Sequence, residues 1–314
     1  MSPAHPPLSD LRFSLVGAGA VGQSLAAWIV ACGGTLCQVA GRPGSTRLGS
    51  FAQRLGLPAL DTRELSSRGE ALLLVAVPDG ALADVAGTLA TRPQAAVALH
   101  VSGVAAATVL APLRAAGSAI GGLHPLRAFP APEAAVEEAV GVFFALDGDP
   151  QAILLGRRLA VAFGGSAAVV SAEQRPLYHL VATLMAGAVT TVAAVAAEIA
   201  ARSGLPAEVR PGFARLATDA LAKALALADP AAGITGPAAR GDQATLLHEL
   251  AALERIAPQA VPVVVALARE SLRQRARLSA PDPPRQALAG LLADTELLDL
   301  TKDRVLTSKP KPAG

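Results

Sequence analysis

Between residues 12 and 171 the apolar positions fall in short runs, whereas beyond 172 they spread into long, evenly apolar stretches. Residues 12–16 read as a short strand, an apolar, helix-prone stretch follows at 23–32, and 35–40 make the next strand. The run from Ala71 through Leu72, Leu73, Leu74, Val75 and Ala76 to Val77 is apolar at every position, as a central parallel strand covered on both faces requires. A helix follows to about residue 90, then a buried strand over 95–101, a helix over 105–116, and a sixth strand over 118–124 that glycines weaken. A strand over 141–146, a helix to about 163 and a last strand over 167–170 complete the alternation. The spacing predicts an α/β fold with a doubly wound parallel sheet and helices on both faces.

After Ser171 the pattern is helical throughout. From 172 to 203 Pro176 alone is a helix breaker, and it sits in the first turn, where proline is tolerated. At 1.5 Å per residue such a helix runs on the order of 45 Å, longer than a crossover between strands needs. Residues 208–228, 243–256, 258–277 and 284–298 also read as helices. The expected organisation is a floppy tail over 1–10, an α/β domain over 11–171, an all-helical domain over 172–307 and a second tail over 308–314. The stretch 180–201 carries one charge, Glu198, and is long enough for a membrane span. Its Ala, Val and Thr content, without an aromatic belt or a second apolar segment, fits a buried central helix better, so no membrane is expected. Small residues along it (Ala182, Ala186, Gly187, Ala193, Ala194, Ala197) suit close helix–helix approach, and a homodimer through the helical domain is expected.

Composition narrows the classes. At 314 residues, with 52% hydrophobic but 3% aromatic residues, the chain fills two domains with cores built mainly from Ala, Leu and Val. A balance of 27 basic against 25 acidic residues argues against an electrostatic nucleic-acid binder. Cys32 and Cys37 have neither metal-ligand nor redox spacing, so no metal is expected. Two cysteines, together with the dinucleotide motif described below, fit a reducing cytoplasm, and the N-terminus shows no secretory pattern.

Local chemistry concentrates at Gly17-Ala18-Gly19-Ala20-Val21-Gly22, a G-x-G-x-x-G placed between a strand and a helix. That context is the one in which the motif binds a dinucleotide. Gly17 lets the chain turn off the strand, Gly19 lets a pyrophosphate approach the backbone, and Gly22 lets helix and strand pack closely. The helix N-terminus offers unpaired N–H groups to the phosphates. At the end of the second strand, where an NAD-binding unit places Asp or Glu, stands Arg42, followed by Ser45, Thr46 and Arg47. A cation with hydroxyls nearby suits a 2′-phosphate, so NADP is the expected cofactor; the plainer alternative is a solvated arginine in a surface loop.

Several motifs together carry a resemblance: 16–22, Ala76-Val77-Pro78-Asp79, His100-Val101-Ser102-Gly103, Leu123-His124-Pro125-Leu126 with Phe129, Tyr178-His179, and Thr235-Gly236-Pro237-Ala238-Ala239-Arg240-Gly241-Asp242 with His248 beyond. The chain resembles Rossmann-like proteins carrying the domain of unknown function numbered 2520, in the 6-phosphogluconate-dehydrogenase-like superfamily. The resemblance implies kinship with NADP-dependent reductases and dehydrogenases, including pyrroline-5-carboxylate reductase and prephenate dehydrogenase. One departure is Gly187, where relatives tend to have Asn; a role of that Asn in orienting substrate or nicotinamide would be vacant or filled differently here.

Ligands of an open α/β sheet bind outside the carboxyl ends of its strands, where Pro78, Ser102 and His124 fall. Val77 and Pro78 are expected against the cofactor ribose. Similarity to prephenate dehydrogenases implies that Ser102 and His124 flank the reacting group, with His124 as the proton donor best tuned near neutral pH. Against this stands a His124 that satisfies a buried carbonyl. Tyr178, His179, Arg240 and Asp242 are the expected substrate-binding wall from the helical side of an interdomain cleft, with Arg240 suited to a carboxylate or to a salt bridge, and Asp242 also placed to cap a helix. His248 fits either cleft or core. Lysines number four, and Lys223, in no motif, is the one plausible carrier of lysine acid/base chemistry. These readings converge on an NADP(H)-dependent oxidoreductase acting on a small oxo acid or imine. The alternatives are a catalytically inactive dinucleotide-binding sensor or assembly protein, and a protein whose partner is a flavin-like deazaflavin.

Overall fold

A computed structural model describes residues 8–132, 135–280 and 282–293. In chain order, β1 (Arg12–Val16), α1 (Ala20–Ala31), β2 (Thr35–Gly41), α2 (Thr46–Leu55), β3 (Ala59–Asp61), β4 (Leu72–Val75), α3 (Leu82–Leu89), β5 (Val97–His100), α4 (Ala111–Ala115), β6 (Ala119–Pro125), β7 (Phe143–Gly148), α5 (Pro150–Ala162) and β8 (Ser166–Val169) build the α/β part. Eight strands form one sheet in the order β3-β2-β1-β4-β5-β6-β7-β8. The order reverses between β1 and β4, which pair directly. That is the switch point at which a crevice opens outside the strand ends.

Alternation along β4 explains its unbroken apolar run. Leu72 and Leu74 join one core cluster with Phe13, Leu15, Trp28 and Phe144. Leu73 and Val75 join the other with Val16, Leu82, Ala98 and Ile120. Successive side chains point to opposite faces, so a strand covered by helices on both sides needs an apolar residue at every position.

The sheet is not parallel throughout: β7 runs antiparallel to β6, with His124 opposite Ala145 and Gly122 opposite Asp147. A parallel pair needs a crossover of a dozen or more residues, usually helical. Among the described residues between β6 and β7 the one helical element is a single 3₁₀ turn, Val136–Ala139, which fits a return rather than a crossover.

The N-terminal tail is shorter than expected. Leu8 is fully buried and its N–H bonds the Cys32 carbonyl, while the Asp10 carboxylate pairs with Arg158. Burial of one leucine and one ion pair are what hold Leu8, Ser9 and Asp10 to the domain; residues 1–7 and 308–314 lie outside the described residues.

The helical part contains α6 (Arg175–Thr183), α7 (Val189–Arg202), α8 (Arg210–Leu225), α9 (Pro237–Arg240), α10 (Gln243–Ile256), α11 (Val261–Ala276) and α12 (Pro283–Ala293). A π-helical turn, Leu184–Ala188, joins α6 to α7 in one 28-residue helix, Arg175–Arg202. The chain divides into two compact units at Ala188/Val189, inside this helix rather than before it. The second unit has its own core of Leu246, Leu250, Leu253, Val265, Leu272 and Leu288. These residues come from α10, α11 and α12, and from α7 Val195 and Ile199 alone pack against them. Apart from Arg175 the long helix buries no residue within the single chain, where a buried central helix was expected. By length and composition it is the one helix among the described residues that could cross a membrane.

Candidate functional site

The glycine loop is built as its spacing predicts. Gly17 has φ +99°, and a Cβ there would stand 2.2 Å from the Ala76 carbonyl oxygen. At Gly22 a Cβ would meet the Gly17 carbonyl at 2.4 Å and the Ala76 side chain at 2.9 Å. Gly19 differs, since a Cβ there would meet nothing within 4 Å and would stand in open space. That space is a groove of about 280 Å³ lined by Gly19, Ala20, Val21 and Gly22, by Val77 and Pro78 beyond β4, and by Ser102 beyond β5. The loop is braced by a residue the sequence reading missed: Gln23 donates from Nε2 to the Ala18 carbonyl (2.8 Å) and accepts from Arg54 Nη2 at its Oε1 (2.8 Å). Loop and groove fit a dinucleotide pyrophosphate on the N-terminus of α1.

At the end of β2, Arg42 and Arg47 are exposed, and Ser45 caps α2 by accepting from the Leu48 N–H at 3.3 Å. The Ser45 oxygen thus serves the helix, while Arg42 carries its charge free in solvent beside a helix N-terminus.

Three side chains, His124, Tyr178 and His179, meet at the ends of β5 and β6, where Ser102 also falls. Tyr178 Oη lies 2.8 Å from His124 Nδ1, with the rings perpendicular and their centroids 5.5 Å apart. The other edge of His124 faces Gly103, where a Cβ would stand 2.8 Å from His124 Nε2 and 2.5 Å from His179 Cδ2. Ser102 is buried, and its Oγ accepts from the N–H groups of Ala105 (2.9 Å) and Val104 (3.3 Å), leaving the hydroxyl hydrogen to point elsewhere. Burial, then the neighbouring His179 and Arg175, push the His124 pKa down to about 4. His124 is therefore neutral near pH 7, not poised to titrate there as the sequence suggested, because its half-buried place and its basic neighbours disfavour the charged form. Burial also pushes the Tyr178 hydroxyl up to about 12.

Beneath this group runs a buried polar network absent from the sequence reading. Arg175, fully buried at the start of α6, donates from Nη2 to Asp147 Oδ1 (2.6 Å) and from Nη1 to the Ser102 carbonyl (3.0 Å). Asp147 Oδ2 accepts from the Ala107 N–H at 2.7 Å. His100 is buried beside them; its Nδ1 accepts from the Ser102 N–H at 3.2 Å, and burial holds its pKa near 4. The signal available in the sequence was slight: Asp147 closes the apolar run of β7 two residues before Asp149, and Arg175 opens α6 two residues after Glu173.

The second unit places its candidates separately. Arg240 is exposed at the end of α9, which Gly241 closes at φ +74°. Asp242 caps α10, Oδ1 accepting from the Thr245 N–H (3.1 Å) and Oδ2 from its hydroxyl (2.8 Å). Those bonds hold its carboxyl below the usual carboxylate range. His248 and Lys223 are exposed, so His248 is not a core residue. A larger cavity of about 430 Å³ in this unit is lined by Arg269, Arg273, Arg285 and apolar side chains of α11 and α12, and includes none of the candidate residues.

Comparisons with known proteins agree with this architecture. Residues 5–125 match the model of a Rossmann-like domain, and residues 142–271 match the domain of unknown function DUF2520. No curated protein matches the sequence. Among solved structures, the fold is similar to an NADP oxidoreductase from Bacteroides fragilis, at 21% identity and a TM-score of 0.71, covering 83% of this chain and 97% of that one. It is also similar to protein TM1727 from Thermotoga maritima (22% identity, TM-score 0.58, covering 82% and 97%). A third is an imine reductase from Myxococcus stipitatus in complex with NADP+ (17% identity, TM-score 0.56, covering 83% and 94%).

Proposed function

Because the chain joins a Rossmann-like domain to a DUF2520 domain, we propose that it is an NADP(H)-dependent oxidoreductase acting on a small oxo acid or imine. The observation that carries this reading is the groove in which the glycine loop and Ser102 share one wall, beside the Tyr178–His124 pair. A pyrophosphate would rest on the N–H groups around Gly19 and Ala20, the ribose against Val77 and Pro78, and the 2′-phosphate near Arg42. When bound, the nicotinamide supplies or accepts the hydride.

The chain's own residues supply the proton. His124 is neutral, with Nδ1 held by the Tyr178 hydroxyl, so the imidazole presents its other nitrogen, Nε2–H, above Gly103. From there it hydrogen-bonds the oxygen or nitrogen that gains charge as the substrate is reduced; as the Nε2 proton passes to that atom, the Tyr178 hydroxyl passes its own proton to Nδ1, so the imidazole stays neutral and the phenolate is reprotonated by solvent. The free hydrogen of Ser102 is a second donor for that atom. Burial keeps water from competing for either group.

The experiment is a fluorescence titration with NADPH and NADH, followed by a screen of keto acids and imines with wild type and His124→Ala. Tight NADPH binding and a turnover that depends on His124 are expected. Binding of neither nucleotide removes the reading. NADPH binding without any His124-dependent rate would favour the inactive sensor, the alternative that Gly187 supports.

The assembly belongs to the same proposal. Helix 175–202 and α8 expose Leu177, Leu180, Val181, Leu184, Phe213 and Leu216, and α7 and α8 bury no residue within one chain. Helices of this length gain most of their stability from packing an apolar face, so a second copy is the proposed cover. Light scattering should give a dimer that Leu180→Glu weakens; a wild-type monomer at micromolar concentration overturns this part.

A further inference from the structure

We propose that the buried Arg175–Asp147 pair is a positioning device that sets helix α6 on the sheet so that Tyr178 meets His124 and holds it in the Nε2–H tautomer. The inference deepens the proposed oxidoreductase function and rests on it for its purpose, but not for its test.

Three geometric facts carry it. Arg175 and Tyr178 are three residues apart on α6 and so share one helix face. Arg175 fixes the start of that face by a two-point contact, one guanidinium nitrogen on Asp147 and the other on the Ser102 carbonyl. A planar fork held at two points restricts both the rotation and the axial position of the helix that carries it. The anchor and the target also lie on one strand pair. Asp147 stands opposite Gly122 on β6, and His124 is two residues further along, on the same face.

Gly122 shows that the space for the pair is specific. A Cβ at that position would stand 2.4 Å from Asp147 Oδ1, 2.6 Å from Arg175 Nη2 and 3.0 Å from the His100 ring. The strand thus has no side chain where the ion pair must pass. A buried pair of this kind is a poor way to gain stability alone, because desolvation offsets most of the attraction. What it supplies is direction: it links the Ser102 turn, β7 and α6, the three segments around His124.

The test reads His124 without any substrate. Uniformly 15N-histidine-labelled full-length protein would be recorded by long-range imidazole 1H–15N correlation, in wild type, Tyr178→Phe, Arg175→Lys, Gly122→Ala and the charge-neutral Arg175→Met/Asp147→Asn pair. Lysine keeps the charge but not the fork, so Arg175→Lys is the variant that preserves the buried ion pair and the fold. Wild type should show one neutral His124 tautomer. Tyr178→Phe should convert it to a mixture, and each folded anchor variant should reproduce that mixture and raise the His124 pKa. A folded anchor variant that keeps the wild-type His124 spectrum while Tyr178→Phe changes it overturns the proposal, as does a Tyr178→Phe spectrum identical to wild type. Failure of the oxidoreductase reading would appear instead as absent NADPH binding by the wild type, and would leave these spectra as they are.

Discussion

Tyr178 Oη and His124 Nδ1 stand 2.8 Å apart, with their rings perpendicular. This contact fixes the orientation of the imidazole and leaves Nε2 as the nitrogen that faces Gly103. His124→Ala should lower turnover by roughly 10²–10⁴-fold, the usual contribution of a positioned acid or base. Tyr178→Phe should lower kcat by less and leave KM for NADPH unchanged. Steady-state kinetics on the first active keto acid or imine checks both.

The depressed pKa values of His124 and His100 set a pH window. Both drop from 6.5 to about 4 on folding, with burial as the first cause. Around His124 the titratable groups are His179, Arg175, Asp79 and His100, of which Asp79 alone raises its pKa. Between pH 6.5 and 4 the unfolded chain binds more protons than the folded one, so stability is present in full above 6.5 and falls as pH drops toward 4. Urea midpoints at pH 7, 5.5 and 4.5 should decline in that order. Turnover should show no inflection at 6.5, because His124 does not titrate there.

The three glycines of the loop should separate by experiment. Gly17→Ala and Gly22→Ala drive a Cβ into backbone at 2.2 and 2.4 Å, and both should lower the unfolding midpoint. Gly19→Ala has free space, so the fold should be unaffected, but its methyl group stands where a pyrophosphate must approach. Thermal melts paired with NADPH titration distinguish the two classes. Equal loss of stability in all three would mean that Gly19 has a purely structural role.

Arg42 tests the choice of nucleotide. Its side chain is exposed beside the capped N-terminus of α2, where a 2′-phosphate would lie. A hydrogen bond to a charged group contributes about 1.5–3 kcal/mol, so Arg42→Asp should weaken NADPH by roughly 10- to 100-fold while leaving NADH unchanged or tighter. Unchanged NADPH affinity would sink the 2′-phosphate argument.

What the sequence revealed and what it hid divide by the range of the interactions. The glycine loop was legible because each glycine answers a local backbone demand, and β4 because its two-sided burial leaves an unbroken apolar run. The direction of β7 was not, since Phe143–Gly148 alternates identically whichever way it pairs. Arg175 and Asp147 lie 28 residues apart and meet through the sheet, so no spacing rule links them. Ser102 and His124 could be placed at strand ends, but the lowered basicity of His124 arises from burial that no local pattern encodes. The exposure of helix 175–202 was hidden for a related reason: a small-residue apolar face reads the same whether its cover comes from the same chain or another.

Gly187 offers the last test, because it combines a helix defect with the departure that the sequence resemblance implies. It sits in the π-helical turn Leu184–Ala188, and a Cβ there would have Thr183 Cγ2 at 3.8 Å as its nearest neighbour. Nothing steric therefore demands glycine. Glycine inside a helix costs about 0.8–1 kcal/mol relative to alanine, so Gly187→Ala should stabilise the chain by about that amount. Gly187→Asn should gain less, since asparagine is itself a mediocre helix former. A loss of stability in both variants would show that the π turn depends on glycine, and would make the wide turn, rather than a missing asparagine, the feature that distinguishes this helix. If both are stable and Gly187→Asn alone raises turnover, the side chain absent here is one that the reaction can use.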